Sequence, residues 1–206
     1  MNGLDKKLGF TLIEITLVIA ITGLIAVAAS NYVSQGIKLW NYNLEKIETQ
    51  KNVRAALNNI LGEMREMLPS DNGSYPLVSA LDQTVEFYSN VDDDIQREKV
   101  KYELLNGSLY RSTVNSDGNQ PPQYPNFTAD DRTLVTDNII NQNAIFKYYD
   151  HTYNGESAPL SAPFDLNDVS LIMITLDIDK NSDRPPEPFT IETGVSLRNL
   201  KYKYDN

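Results

Sequence analysis

The residues able to do chemistry are few and nearly all acidic. Asp177, Asp179, Asn181 and Asp183 stand at alternate positions, the spacing of the first half of a calcium loop. The second half departs from that pattern: Ser182 occupies the position that needs glycine, and Pro188 the position of the bidentate glutamate. The segment also joins two predicted strands, so a solvated hairpin tip is the competing reading. Asp92-Asp93-Asp94 reads as exposed loop charge. The single histidine, His151, follows a predicted strand within Asp150-His151-Thr152, and no surrounding motif makes it a general base. With no cysteine in the chain, disulfides, thiolate metal sites, iron–sulfur clusters and cysteine nucleophiles are excluded. There is no phosphate-binding glycine loop, zinc-protease helix motif or nucleophile elbow. Paired carboxylates of the glycosidase kind stay open, because spacing gives no distances. The expectation is a protein without catalytic residues, cofactor or resident metal.

Charge narrows the partners. The 206 residues carry 18 basic and 28 acidic side chains, a net charge of -10. Residues 1–69 hold seven basic and six acidic side chains, so the negative charge belongs to residues 70–206. That sign argues against direct nucleic-acid binding, which needs cations against phosphates.

One acid has unusual surroundings. Residues 10–29 run FTLIEITLVIAITGLIAVAA with Glu14 as their one charge and no proline. Twenty residues at 1.5 Å make about 30 Å of helix, the thickness of a bilayer core. Lys6 and Lys7 precede this segment, and Tyr32, Trp40 and Tyr42 follow it as interfacial anchors, which places the N-terminus in the cytoplasm. A carboxylate at a helix centre in lipid costs about 2.5–3.5 kcal/mol on insertion scales, so Glu14 demands a partner. A secretory signal cut before Ala29, after the small residues Ala26 and Ala28, and a plain uncleaved anchor remain as alternatives.

The string Gly9-Phe10-Thr11-Leu12-Ile13-Glu14, after a short basic leader, resembles the class III signal of type IV pilins and type II secretion pseudopilins. The resemblance implies that prepilin peptidase cuts after Gly9 and that Phe10 becomes the N-methylated first residue. It implies further that Glu14 pairs with the amine of the first residue on a neighbouring subunit, setting register during assembly. The implied partners are other pilin or pseudopilin subunits, met through the N-terminal helix, the peptidase and an inner-membrane assembly platform. The implied location is the cytoplasmic membrane, with a single span, cytoplasmic N-terminus and extracytoplasmic head, and then a filament. Glu14 paired only with its own amine is the competing possibility.

The elements that must position these residues follow from periodicity. Apolar residues continue at threes and fours through Leu44, Ile47, Val53, Leu57, Ile60, Leu61 and Met64, with charges between them, until Pro69. One helix over 10–68 would run roughly 88 Å unbroken, with Gly23 or Gly36 as the places to bend. Strands are predicted at 84–89, 99–105, 108–113, 144–149, 169–178 and 189–200, with Asn106-Gly107 closing a type I′ hairpin. Residues 115–131 and 152–166 read as loops. The fold class is α+β: a long N-terminal helix whose amphipathic half covers an antiparallel sheet. The organisation is leader 1–9, helix 10–68 with assembly segment 10–30, and head 69–206.

The order of segments 102–111, 134–139, 146–149, 171–176 and 193–199 resembles the heads of minor pilins related to the J class of pseudopilins. That implies a low-abundance subunit acting in initiation or at a filament tip. An anchored adhesin-like binding module and an anchored hydrolase are the readings from other classes.

Overall fold

A computed structural model describes residues 9–92, 94–181, 183 and 186–197. Lys6 and Lys7, together with Asp93, Ser182 and the predicted strand end at 198–200, lie outside the described residues. The chain divides into two compact units, Met1–Ile47 and Glu48–Asn206, and one helix, α1 (Leu12–Arg65), contributes to both.

In the first unit α1 passes through Gly23 and Gly36 without interruption, so neither glycine is a break. An 18-residue window has mean hydropathy 2.5, and none of it is covered by the chain. A core helix would bury such a surface; this one presents it outward on every side. Its hydroxyls turn back on their own helix: Thr16 donates to the Ile13 carbonyl at 2.9 Å and Ser30 to Ala26 at 2.8 Å. These two hydroxyls are thereby satisfied without water, as a hydrocarbon environment requires.

In the second unit α1 becomes one-sided. Val53, Leu57, Ile60, Leu61 and Met64 are buried along a single stripe. The helix ends at Arg65, before Pro69, because the chain is captured by a sheet: Met67 bridges Ser89, and the Leu68 N–H donates to the Tyr88 carbonyl at 3.1 Å.

The fold class is α+β, with α1 packed on antiparallel sheets. There are two sheets where the sequence predicts one. The first is a meander, β1 (Leu77–Ala80), β2 (Thr84–Ser89), β3 (Glu98–Leu105), β4 (Ser108–Val114) and β5 (Arg132–Thr136), in that spatial order. The second contains β6 (Phe146–Tyr149), β7 (Leu171–Ile178) and β8 (Phe189–Ser196). Between them, residues 137–145 leave the β4 edge, touching the second sheet through the Ile139–Ile178 bridge. The β3–β4 turn matches expectation: Asn106 and Gly107 have φ of 50° and 75°, as type I′ geometry needs. β8 stops at Ser196, and the Leu197 N–H turns to the Ser170 carbonyl.

Alternation fills the core. Ile172, Ile174, Leu176 and Ile178 of β7 join Val85, Phe87, Val100, Tyr102 and Leu109 of the larger sheet around the helix stripe. Away from this core, the larger sheet pairs Lys99 with Glu86 and both Lys101 and Arg132 with Glu103, while the Phe127 ring lies about 5 Å from both lysine ammoniums.

Candidate functional site

Gly9 and Phe10 precede the first helical turn and are fully accessible, so the bond between them lies in non-helical chain. Phe10 is 84% exposed. A Cβ added at Gly9 would meet nothing within 4 Å, and its φ is not in the left-handed region. Among the described residues, none demands glycine there. Gly194 is the opposite case, since a Cβ there would collide with the Met173 sulfur.

Glu14 has a local partner that the sequence reading overlooks. Its Oε2 accepts from the Thr11 backbone N–H at 2.9 Å and from Thr11 Oγ1 at 2.9 Å, while the Glu14 N–H donates back to Thr11 Oγ1 at 3.3 Å. This is a capping box, legible as Thr11-x-x-Glu14, and it satisfies two of the orphan donors at the start of α1. It also sets the carboxylate at the positive end of the helix dipole. Both described bonds fall on Oε2, and the Thr11 amide survives a cut after Gly9. Glu14 is therefore held in place by its own chain, with Oε1 engaged by no described residue.

Of the four residues spaced like calcium ligands near residue 180, three accept a hydrogen bond through one side-chain oxygen. Asp177 Oδ1 accepts from the Thr190 hydroxyl at 2.5 Å, Asp179 Oδ1 from the Asn181 N–H at 3.0 Å, and Asn181 Oδ1 from the Asp183 N–H at 3.1 Å. Among the described residues, the carboxylates that do converge are Asp92, Asp94 and Glu98, one oxygen of each lying within 4.8 Å of the others. Asp92 and Asp94 are exposed loop charges as expected, but Glu98 at the start of β3 is buried. His151 sits exposed in the turn after β6, beside Asp150, whose carboxyl is held below its usual range first by the Thr152 hydroxyl and amide.

Glu63 is a second polar centre that sequence treats only as helix surface. It accepts from Tyr102 Oη at 2.7 Å and from Arg111 Nε at 3.0 and 3.1 Å. Tyr102 and Arg111 are directly opposed on β3 and β4, so one helix carboxylate clamps the hairpin. Burial, then the adjacent Glu63, pushes the Tyr102 hydroxyl pKa upward, keeping it a donor. Elsewhere a cleft of about 420 Å³ is lined by Leu81, Phe146, Tyr148, Leu160 and Phe164, with Gln83 at its wall.

Residues 4–30 match the family model of the prokaryotic N-terminal methylation motif. No curated protein matches the chain. The motif, set on a long apolar helix with an accessible Gly9–Phe10 bond, supports a type IV pilin-like or pseudopilin precursor.

Proposed function

We propose that this chain is a minor pilin or pseudopilin. It is inserted in the cytoplasmic membrane with its N-terminus inside, cut by prepilin peptidase between Gly9 and Phe10, and methylated on Phe10. It is then drawn by the inner-membrane assembly platform into a type IV pilus-like or type II secretion filament. The observation that carries this reading is the coincidence of the methylation motif with a helix whose apolar surface its own chain leaves bare. Lipid covers that surface in the precursor, and sister helices cover it in the filament. The head, residues 69–206, stays outside. The J-like order of head segments favours a role in initiation or at the tip over bulk subunit.

In the filament, Glu14 meets the methylated amine of a neighbour's first residue, and its capping bonds hold the carboxylate ready for that cation. Glu14→Ala should cut filament incorporation at least tenfold while thermal unfolding of the head is unchanged, measured by filament shearing and immunoblot. Incorporation at the wild-type level would contradict the assembly role. The apolar cleft near Tyr148 favours one second reading, an anchored binding module, for which that same variant would keep both location and binding.

A further inference from the structure

The connection between β2 and β3, described at residues 90–92 and 94–97, folds back over the first residue of the strand it enters. Asn90 Nδ2 donates to the Asp94 carbonyl at 2.8 Å, and the amides of Asp94 and Gln96 donate to Asp92 Oδ1 and Asp94 Oδ1 at 2.9 and 2.6 Å. Glu98 lies beneath, 1% exposed. Its Oε2 accepts from the Val91 N–H at 2.8 Å, while Oε1 is sealed from solvent with no donor among the described residues. A buried, half-satisfied carboxylate is costly, and two further carboxylates beside it raise the cost. No lysine or arginine is paired with any of the three among the described ion pairs; the nearby Arg97 goes to Asp71.

Two species could relieve this arrangement, a proton or a cation. Burial first, then Asp92 and Asp94, lifts the Glu98 carboxyl above its ordinary range, against the Val91 amide. The geometry favours the cation. Around calcium, oxygens sit about 2.3–2.6 Å from the ion, so ligands on opposite sides are about 5 Å apart. Three carboxylate oxygens within 4.8 Å of one another fit one such sphere. The donors are all hard oxygens and two of them sit on a loop, which suits the variable coordination of calcium more than the strict octahedron of magnesium.

We infer that Asp92, Asp94 and Glu98 form a calcium site that locks the β2–β3 connection. Asp92 and Asp94 supply exposed ligands, and Glu98 Oε1 supplies the buried one. This site is separate from the calcium-like spacing at Asp177, and it does not depend on how the N-terminus is processed.

The test uses the full chain in detergent micelles, stripped with EDTA and titrated with calcium chloride by calorimetry and thermal melting. Calcium should bind with a dissociation constant of about 10⁻⁴–10⁻³ M and raise the melting temperature by a few degrees. The exposed pair Asp92→Asn with Asp94→Asn should weaken binding at least tenfold while the apo melting temperature holds or rises. Glu98→Gln, which keeps the acceptor for Val91, should weaken it similarly. No calcium binding up to 10 mM, affinity unchanged in these variants, or magnesium bound as tightly as calcium would overturn the inference.

Discussion

Glu63 receives three hydrogen bonds from Tyr102 and Arg111, residues that face each other across one hairpin. Removing it leaves a buried phenol without its acceptor and a half-buried guanidinium without its counter-charge. Charged hydrogen bonds of this kind contribute about 1.5–3 kcal/mol. Glu63→Ala should therefore lower stability by about 2–4 kcal/mol in urea unfolding, whereas Glu66→Ala, on the exposed side, should change it by less than about 0.5 kcal/mol. Equal effects would show that the clamp is not what ties α1 to the sheet. Sequence does not reveal this cluster, since Glu63 lies 39 and 48 residues from its partners and has the spacing of any solvated helix acid. Glu14 differs: its partner is three residues away, and Thr11-x-x-Glu14 announces the bond. A carboxylate in lipid invites a distant cation, yet here the Thr11 amide and hydroxyl supply the nearer donors.

Local pattern carries much of the element level. β3 and β7 alternate cleanly, β2 does so over its first four residues, and the Asn106-Gly107 turn is encoded by two residues that tolerate positive φ. Gly107 also lies close to another segment: a Cβ there would come within 3.1 Å of the Ile139 carbonyl oxygen, and the Gly107 carbonyl accepts from the Ile139 N–H at 2.9 Å. Gly107→Ala should cost about 1–2 kcal/mol in urea unfolding, from the left-handed backbone together with the crowded neighbour. A cost below about 0.3 kcal/mol would mean that the turn relaxes freely. β1 and β5 are harder to see. β1 has four residues after Pro76, and β5 is an edge strand whose first three residues are exposed, so neither shows the alternation of a half-buried strand. The division into two sheets depends on where residues 137–145 turn, which no short-range pattern encodes.

At the scale of the whole molecule, the N-terminal segment and the acidic remainder obey different solvents. Residues 10–29 carry one charge, and all of them are exposed; residues 48–197, as far as they are described, bury a continuous apolar core. The methylation motif spans residues 4–30, where that exposed surface begins. Composition made the membrane segment legible because hydrocarbon admits few exceptions. The alternate acids from Asp177 fit a solvated hairpin tip as well as half a calcium loop, and in the structure Asp177, Asp179 and Asn181 accept hydrogen bonds from Thr190, Asn181 and Asp183. The proposed function joins these observations in a chain that loses its leader and exchanges lipid for sister helices. Intact mass and N-terminal sequencing of the protein from its native host test that most directly. The account predicts a chain starting at N-methylated Phe10; a chain that keeps Met1, or one that starts at Ala29, would contradict it.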